Sequence, residues 1–127
     1  MENNSKDLDN FTEVQRLKDK VREFCEERDW DQYHGAKELA IGITTEASEL
    51  LQHFRFKSEK EVEEIFSDLN KKEKITEEMA DILYFLLRMS QRYDVDLTSE
   101  LTKKLKKNEE RYPVDKAKGS NKKYTEF

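Results

Sequence analysis

Apolar residues recur along this chain at helical spacing. Val14, Leu17, Val21 and Phe24 lie three and four residues apart, placing a stripe on one face of a first helix. Thr12 and Gln15 have capping-box spacing at its start, and the pattern fades near Asp29. Trp30 to Gly35 has no period and reads as a connector. A second helix is predicted from Ala36 to Phe56, with Leu39, Ala40, Ile43, Ala47, Leu50, Leu51 and Phe54 toward the core. Ser58 and Glu61 form another capping box, opening a short segment through Val62, Ile65, Phe66 and Leu69. A lysine-rich turn is expected around Lys71 to Lys74, after which Thr76 caps a long helix to about Tyr93. That helix is apolar around much of its girth, through Met79, Ala80, Ile82, Leu83, Phe85, Leu86, Leu87 and Met89. So broad an apolar surface in a short chain calls for a second copy to cover part of it. A last helix runs from roughly Thr98 to Arg111, and Pro113 ends it.

Composition supports the same architecture. Three glycines and one proline in 127 residues leave little punctuation for a many-stranded sheet. The expected fold is all-α, a four-to-five-helix bundle completed by oligomerisation. The expected organisation is a flexible N-terminus over 1–10, one helical domain over 11–113 and a basic, mobile tail over 114–127. With 24 basic against 29 acidic residues and a net charge of −5, the chain lacks the basic surplus of a general nucleic-acid binder. Cys25 has no partner for an intrachain disulfide and reads as a buried packing thiol in a reducing compartment. The first ten residues lack a signal-peptide pattern, and the longest apolar run, Ile82 to Leu87, is far short of a membrane span. The expectation is a cytoplasmic protein with no membrane partner.

The candidate chemistry is carried by four acids. Glu46 and Glu49 share one face of the second helix, and Glu78 and Asp81 repeat that spacing on the long helix. Leu50, Ile82 and Phe85 each lie one turn beyond one of these acids, so the carboxylates sit beside apolar stripes. If the two helices pack together, the acid pairs face each other. At ~4 Å and an effective dielectric of about 20, each like-charge pair costs roughly 4 kcal/mol. Either some acids hold protons or a cation neutralises them. Hard oxygen ligands select Mg²⁺, Mn²⁺ or Ca²⁺. A di-iron site would want histidine at the end of each pair, and only His53, four residues after Glu49, keeps iron in view. The bland alternative is chance, because Glu61 and Glu64 show the same spacing on a solvated face.

The runs EASE at 46–49 and EMAD at 78–81 resemble the Glu-x-x-Glu and Glu-x-x-Asp signature of MazG-like all-α nucleoside triphosphate pyrophosphohydrolases. ERDWDQYH at 27–34, NEERYP at 108–113 and KGSNKKYT at 118–125 are similar to segments of the dCTP pyrophosphatase branch. The resemblance implies a nucleotide diphosphatase that cleaves a (d)NTP to the monophosphate and diphosphate. Mg²⁺, with Mn²⁺ as a substitute, would be held by Glu46, Glu49, Glu78 and Asp81. Either Glu46 or Glu49 would activate the water. The same resemblance implies substrate contacts from Trp30, His34, Phe56, Lys104, Asn108, Arg111, Tyr112, Lys123 and Tyr124. Against these stand plain structural roles: core aromatics for Trp30 and Phe56, loop hydrogen bonding for His34, solvated lysine for Lys104, helix-end packing for Arg111 and Tyr112, and a solvated tail for Lys123 and Tyr124. The animal enzymes of the branch carry a base-contacting histidine where this chain has Val21, and a tryptophan where it has Phe56.

The leading expectation is a nucleotide-pool house-cleaning enzyme acting on dCTP or a modified pyrimidine analogue, assembled as a homotetramer or dimer. The alternatives are a non-catalytic nucleotide sensor on the same fold and a helical oligomerisation module with decorative acids.

Overall fold

A computed structural model describes residues 7–127. The segment 1–6, which carries most of the expected flexible N-terminus, lies outside the described residues. Six α-helices and no β-strand occur among the described residues: α1 Val14–Glu26, α2 Ala36–Gln52, α3 Glu59–Ser67, α4 Leu69–Arg92, α5 Leu97–Arg111 and α6 Val114–Ala117. The all-α expectation therefore holds. The chain divides into two compact units, one ending at Asp94 and the other covering Val95–Phe127.

In the first unit α2 packs on α4, and α1 and α3 also pack against α4. The buried apolar residues Cys25, Leu39, Ile65, Ile75 and Leu87 come from all four helices. Cys25 is fully buried, as its reading as a packing thiol requires, and its Sγ lies 3.1 Å from the Tyr84 hydroxyl. Phe24 packs edge-on against both Tyr84 and Trp30.

Local chemistry explains where the boundaries differ from expectation. α1 takes Glu13 rather than Thr12 as its N-cap, and the Gln15 side chain donates to Asp19 Oδ1 at 3.0 Å. α2 ends at Gln52, because the following turn leads to Phe56 at φ 63°, a left-handed conformation no helix can continue. The expected box at α3 is present: the Glu61 amide donates to Ser58 Oγ at 3.2 Å and the Ser58 amide to Glu61 Oε1 at 3.3 Å. The expected lysine-rich turn is helix, since α4 starts at Leu69 under an Asp68 cap that accepts from the Asn70 and Lys71 amides at 3.0 and 3.2 Å. Asp68 offers a charged acceptor to two orphan N–H groups, and the lysines and glutamate beyond it are good helix formers. Thr76 lies inside α4, its hydroxyl donating to the Glu73 carbonyl at 2.9 Å.

The core reading of α2 needs a second correction. Leu39 is buried, but Ala40, Ala47 and Leu51 are exposed. On α4, Leu87 is buried whereas Met79, Leu83 and Leu86 are open. A single copy buries one side of each helix, and the apolar pattern extends beyond that side.

Gly42 sets how closely α2 and α4 approach. A Cβ there would lie 2.6 Å from Phe85 Cε1, so the ring occupies the space that any larger residue needs. Gly42 precedes Glu46 by one turn and Phe85 follows Asp81 by one turn, so this contact sets the helix spacing at the acids. Gly42→Val should lower the unfolding free energy by about 1–3 kcal/mol through overpacking, despite better helix propensity. Urea denaturation checks this, and an unchanged midpoint would show that the ring moves aside freely.

In the second unit α5 starts one residue before its expected Thr98 under an Asp96 cap, which accepts from the Ser99 amide at 2.8 Å. It ends at Arg111, as Pro113 requires. The basic tail forms α6 and a 3₁₀ turn at Tyr124–Glu126.

Candidate active site

The α2–α4 packing brings the acid pairs together. Glu46, Glu49 and Glu78 each place a carboxylate oxygen so that these oxygens all lie within 4.8 Å of one another. Asp81 lies close enough that its charge also acts on Glu46. Glu49 is exposed, while Glu46 and Glu78 are half-buried. Two oxygens, Glu46 Oε2 and Glu78 Oε2, are buried without a hydrogen-bond partner. Unpaired buried acceptors cost about 1–3 kcal/mol each, and more when charged. The Glu46 pKa rises from 4.5 to about 7, first through burial, then through hydrogen bonds with Glu49 and Glu78 and the charges of Glu49 and Asp81. All-oxygen donors, a shared focus and two orphaned acceptors fit a hard divalent cation. They equally provide a carboxyl group that exchanges protons near neutrality.

His53 becomes part of this surface, its Nε2 standing 3.7 Å from Glu78 Oε1. Its spacing of four from Glu49 was visible in the sequence, but its partner lies on another helix. A single histidine on Glu78 does not make the paired Glu-x-x-His set of a di-iron site.

Beside the first connector lies a network the sequence did not reveal. Arg88 is fully buried. Its Nε donates to His34 Nδ1 at 2.9 Å, its Nη1 donates to Gln91 Oε1 at 2.6 Å, and its Nη2 donates to Asp31 Oδ1. Arg92 adds an ion pair to Asp31 at 3.5 Å. The hydrogen bond from Arg88 holds the Asp31 carboxyl below its usual pKa. Burial, then the Arg88 charge, lowers that of His34. Because His34 accepts at Nδ1, the neutral ring carries its proton on Nε2. Loop hydrogen bonding thus occupies one edge of His34.

The aromatic candidates separate. Trp30 is half-buried between Phe24 and His34, both edge-on. Phe56 is 92% exposed, so core packing does not account for it, and the Arg55 guanidinium lies 4.6 Å from its ring centre. Its backbone φ of 63° is uncommon for a bulky side chain and costs backbone strain. Lys104, Asn108, Arg111, Tyr112, Lys123 and Tyr124 all belong to the second unit. There Tyr112 packs edge-on against Tyr124 and Phe127, and Arg111 lies 4.7 Å over the Tyr124 ring. Lys104 and Lys123 are exposed, and Asn108 is half-buried.

The MazG-like family model matches residues 41–127, a span containing all four acids. The chain is 35% identical over 105 residues to dCTP pyrophosphatase 1 of Rattus norvegicus and 34% identical to that of Homo sapiens, covering 83% of this chain. It spans 62% of the length of these curated relatives. Among solved structures, a pyrophosphatase from Archaeoglobus fulgidus DSM 4304 superposes with a TM-score of 0.74 at 35% identity, covering 79% of this chain and 92% of that one.

Proposed function

This chain belongs to the MazG-like family, and from that premise we propose that it is a Mg²⁺-dependent nucleotide pyrophosphohydrolase. The reaction is (d)NTP plus water to (d)NMP plus diphosphate, with dCTP or a modified pyrimidine deoxynucleotide as substrate and the cytoplasmic nucleotide pool as its setting. The observation that carries this reading is the convergence of Glu46, Glu49 and Glu78 within 4.8 Å.

Glu46, Glu49, Glu78 and Asp81 would hold the cation. When bound, it supplies positive charge that offsets the triphosphate and makes nearby water more acidic. Glu46 or Glu49 accepts the proton of the attacking water. The water oxygen bonds to the α-phosphorus, the bridging oxygen leaves with the diphosphate, and two rigid helices hold the acids in place throughout. Phe56, exposed and held in a strained turn, is the proposed stacking plate for the base, with Trp30 and His34 on the connector as further base contacts. The contacts assigned to Lys104, Asn108, Arg111, Tyr112, Lys123 and Tyr124 rest on the resemblance alone.

The decisive assay combines purified protein, Mg²⁺ and a panel of nucleoside triphosphates, with diphosphate and orthophosphate measured separately. Diphosphate release from a pyrimidine deoxynucleotide is expected. Tight Mg²⁺–nucleotide binding without diphosphate would replace this reading with that of a sensor.

Acid–base linkage provides a second check. In the metal-free protein Glu46 keeps its proton up to about pH 7, against 4.5 for an ordinary carboxyl. Across that window the folded state binds more protons than the unfolded chain, so stability falls as pH rises. A cation must displace that proton, so Mg²⁺ should raise Tm more at about pH 8 than at about pH 5.5. Equal shifts at both pH values would detach Glu46 from the metal site.

The open residues Met79, Leu83 and Leu86 on α4, with Ile41 and Leu51 on α2, support a homo-oligomer, a tetramer or dimer. Light scattering at micromolar protein should report at least twice the 15.3 kDa chain mass. A monomer would sink this assembly.

A further inference from the structure

A cavity of about 420 Å³ opens where the end of α2, α3 and the first turns of α4 meet. Its size falls within the range of roughly 300–1,000 Å³ typical of ligand pockets. Lys57 from the α2–α3 turn and Lys71 and Lys74 from α4 line it, with buried Ile65 behind them. Lys71 and Lys74 are three residues apart and share one helix face. Their neighbours Lys72 and Lys60 stay out of the lining. Among the described residues, none of the three lining lysines is in an ion pair within 4.0 Å. Of the two lining acids, Glu61 is engaged in the Ser58 cap, and hydrogen bonding there holds its carboxyl below its usual pKa. Glu64 is the other.

His53 ties this cavity to the acids. It lines the wall while its Nε2 stands 3.7 Å from Glu78 Oε1. In a chain of net charge −5, ammonium groups gathered beside a carboxylate cluster form a two-sign site, cation-seeking on one side and anion-seeking on the other. A triphosphate has this complementarity when a divalent ion covers only part of its charge. The remaining phosphate oxygens need donors, and lysine supplies a mobile point charge suited to them.

Building on the pyrophosphohydrolase reading, we infer that Lys57, Lys71 and Lys74 form the subsite for the terminal phosphates, the diphosphate that leaves. Free inorganic diphosphate shares this chemistry, so the test has a binding arm and a kinetic arm.

In the first arm, inorganic diphosphate with Mg²⁺ is titrated calorimetrically into the full chain. The variants are Lys71→Gln/Lys74→Gln, Lys57→Gln alone, and the charge-matched control Lys60→Gln/Lys72→Gln. All sites are exposed, and circular dichroism checks the fold. Affinity should fall roughly tenfold or more in the lining double variant, several-fold in Lys57→Gln and less than about twofold in the control. Equal losses in the two double variants would reduce the effect to net charge and overturn the subsite.

In the second arm, KM for the nucleoside triphosphate should rise in parallel with the diphosphate inhibition constant, while inhibition by the monophosphate stays unchanged. Weaker diphosphate binding with an unchanged KM would assign the cavity to free diphosphate and overturn its role in substrate binding. Hydrolysis by the parent with unaltered diphosphate affinity in the lining variants sinks this inference alone. Absence of hydrolysis by the parent sinks the function and this inference together.

Discussion

Glu49→Gln should leave the helical circular dichroism spectrum intact and slow diphosphate release by roughly 10²–10⁴-fold, the range for loss of a positioned general base. The substitution keeps side-chain size and removes one negative charge from the three-carboxylate focus. Glu49 is exposed, so its replacement disturbs little packing. Two roles for Glu49 separate in the kinetics. If it takes the proton from water, kcat falls while the Mg²⁺ requirement stays near that of the parent. If it chiefly holds the cation, the Mg²⁺ concentration for half-maximal rate climbs and the Mg²⁺-induced rise in Tm shrinks. Turnover within tenfold of the parent at saturating Mg²⁺ would remove Glu49 from the site.

Arg88→Ala should lower the unfolding free energy by about 3–4 kcal/mol, or Tm by ~10 °C. Arg88 is fully buried and spans Asp31, His34 and Gln91. Truncation removes its long stem, leaving a cavity, and strips donors from three acceptors at once. Arg88→Met, which restores most of the stem volume, should recover a substantial part of the loss, because an apolar filler often replaces a buried ion well. Equal destabilisation by alanine and methionine would assign the effect to the hydrogen bonds rather than to packing. The network also orders the connector carrying Trp30 and His34. Arg88→Met should therefore weaken base discrimination more than it lowers kcat, measured as the ratio of kcat/KM between pyrimidine and purine triphosphates.

Some of the site could be read directly from residue order. A separation of three places Glu46 with Glu49, and Glu78 with Asp81, on single helix faces wherever the helices go. The all-α class followed from periodicity and the scarcity of glycine and proline. The Ser58–Glu61 cap was equally legible, since both partners lie within one turn. Thr76 misled because a good capping residue was available where none was needed: Asp68 had already started α4, and nothing between them breaks a helix. Nothing in the residue order singled out Arg88, because its partners His34 and Asp31 lie 54 and 57 residues away along the chain.

What the sequence determined by itself was the set of local preferences: helix periods, acid spacing and the chemistry each helix carries. These depend on atoms within about one turn, where backbone geometry leaves few choices. The tertiary structure decided which faces meet. It brought Glu78 to Glu46 and Glu49, seated Phe85 over Gly42, buried Arg88, and placed Lys71 and Lys74 in the wall of a cavity that also includes His53, the neighbour of Glu78. Such contacts depend on packing between segments tens of residues apart, and that packing is a property of the whole folded unit.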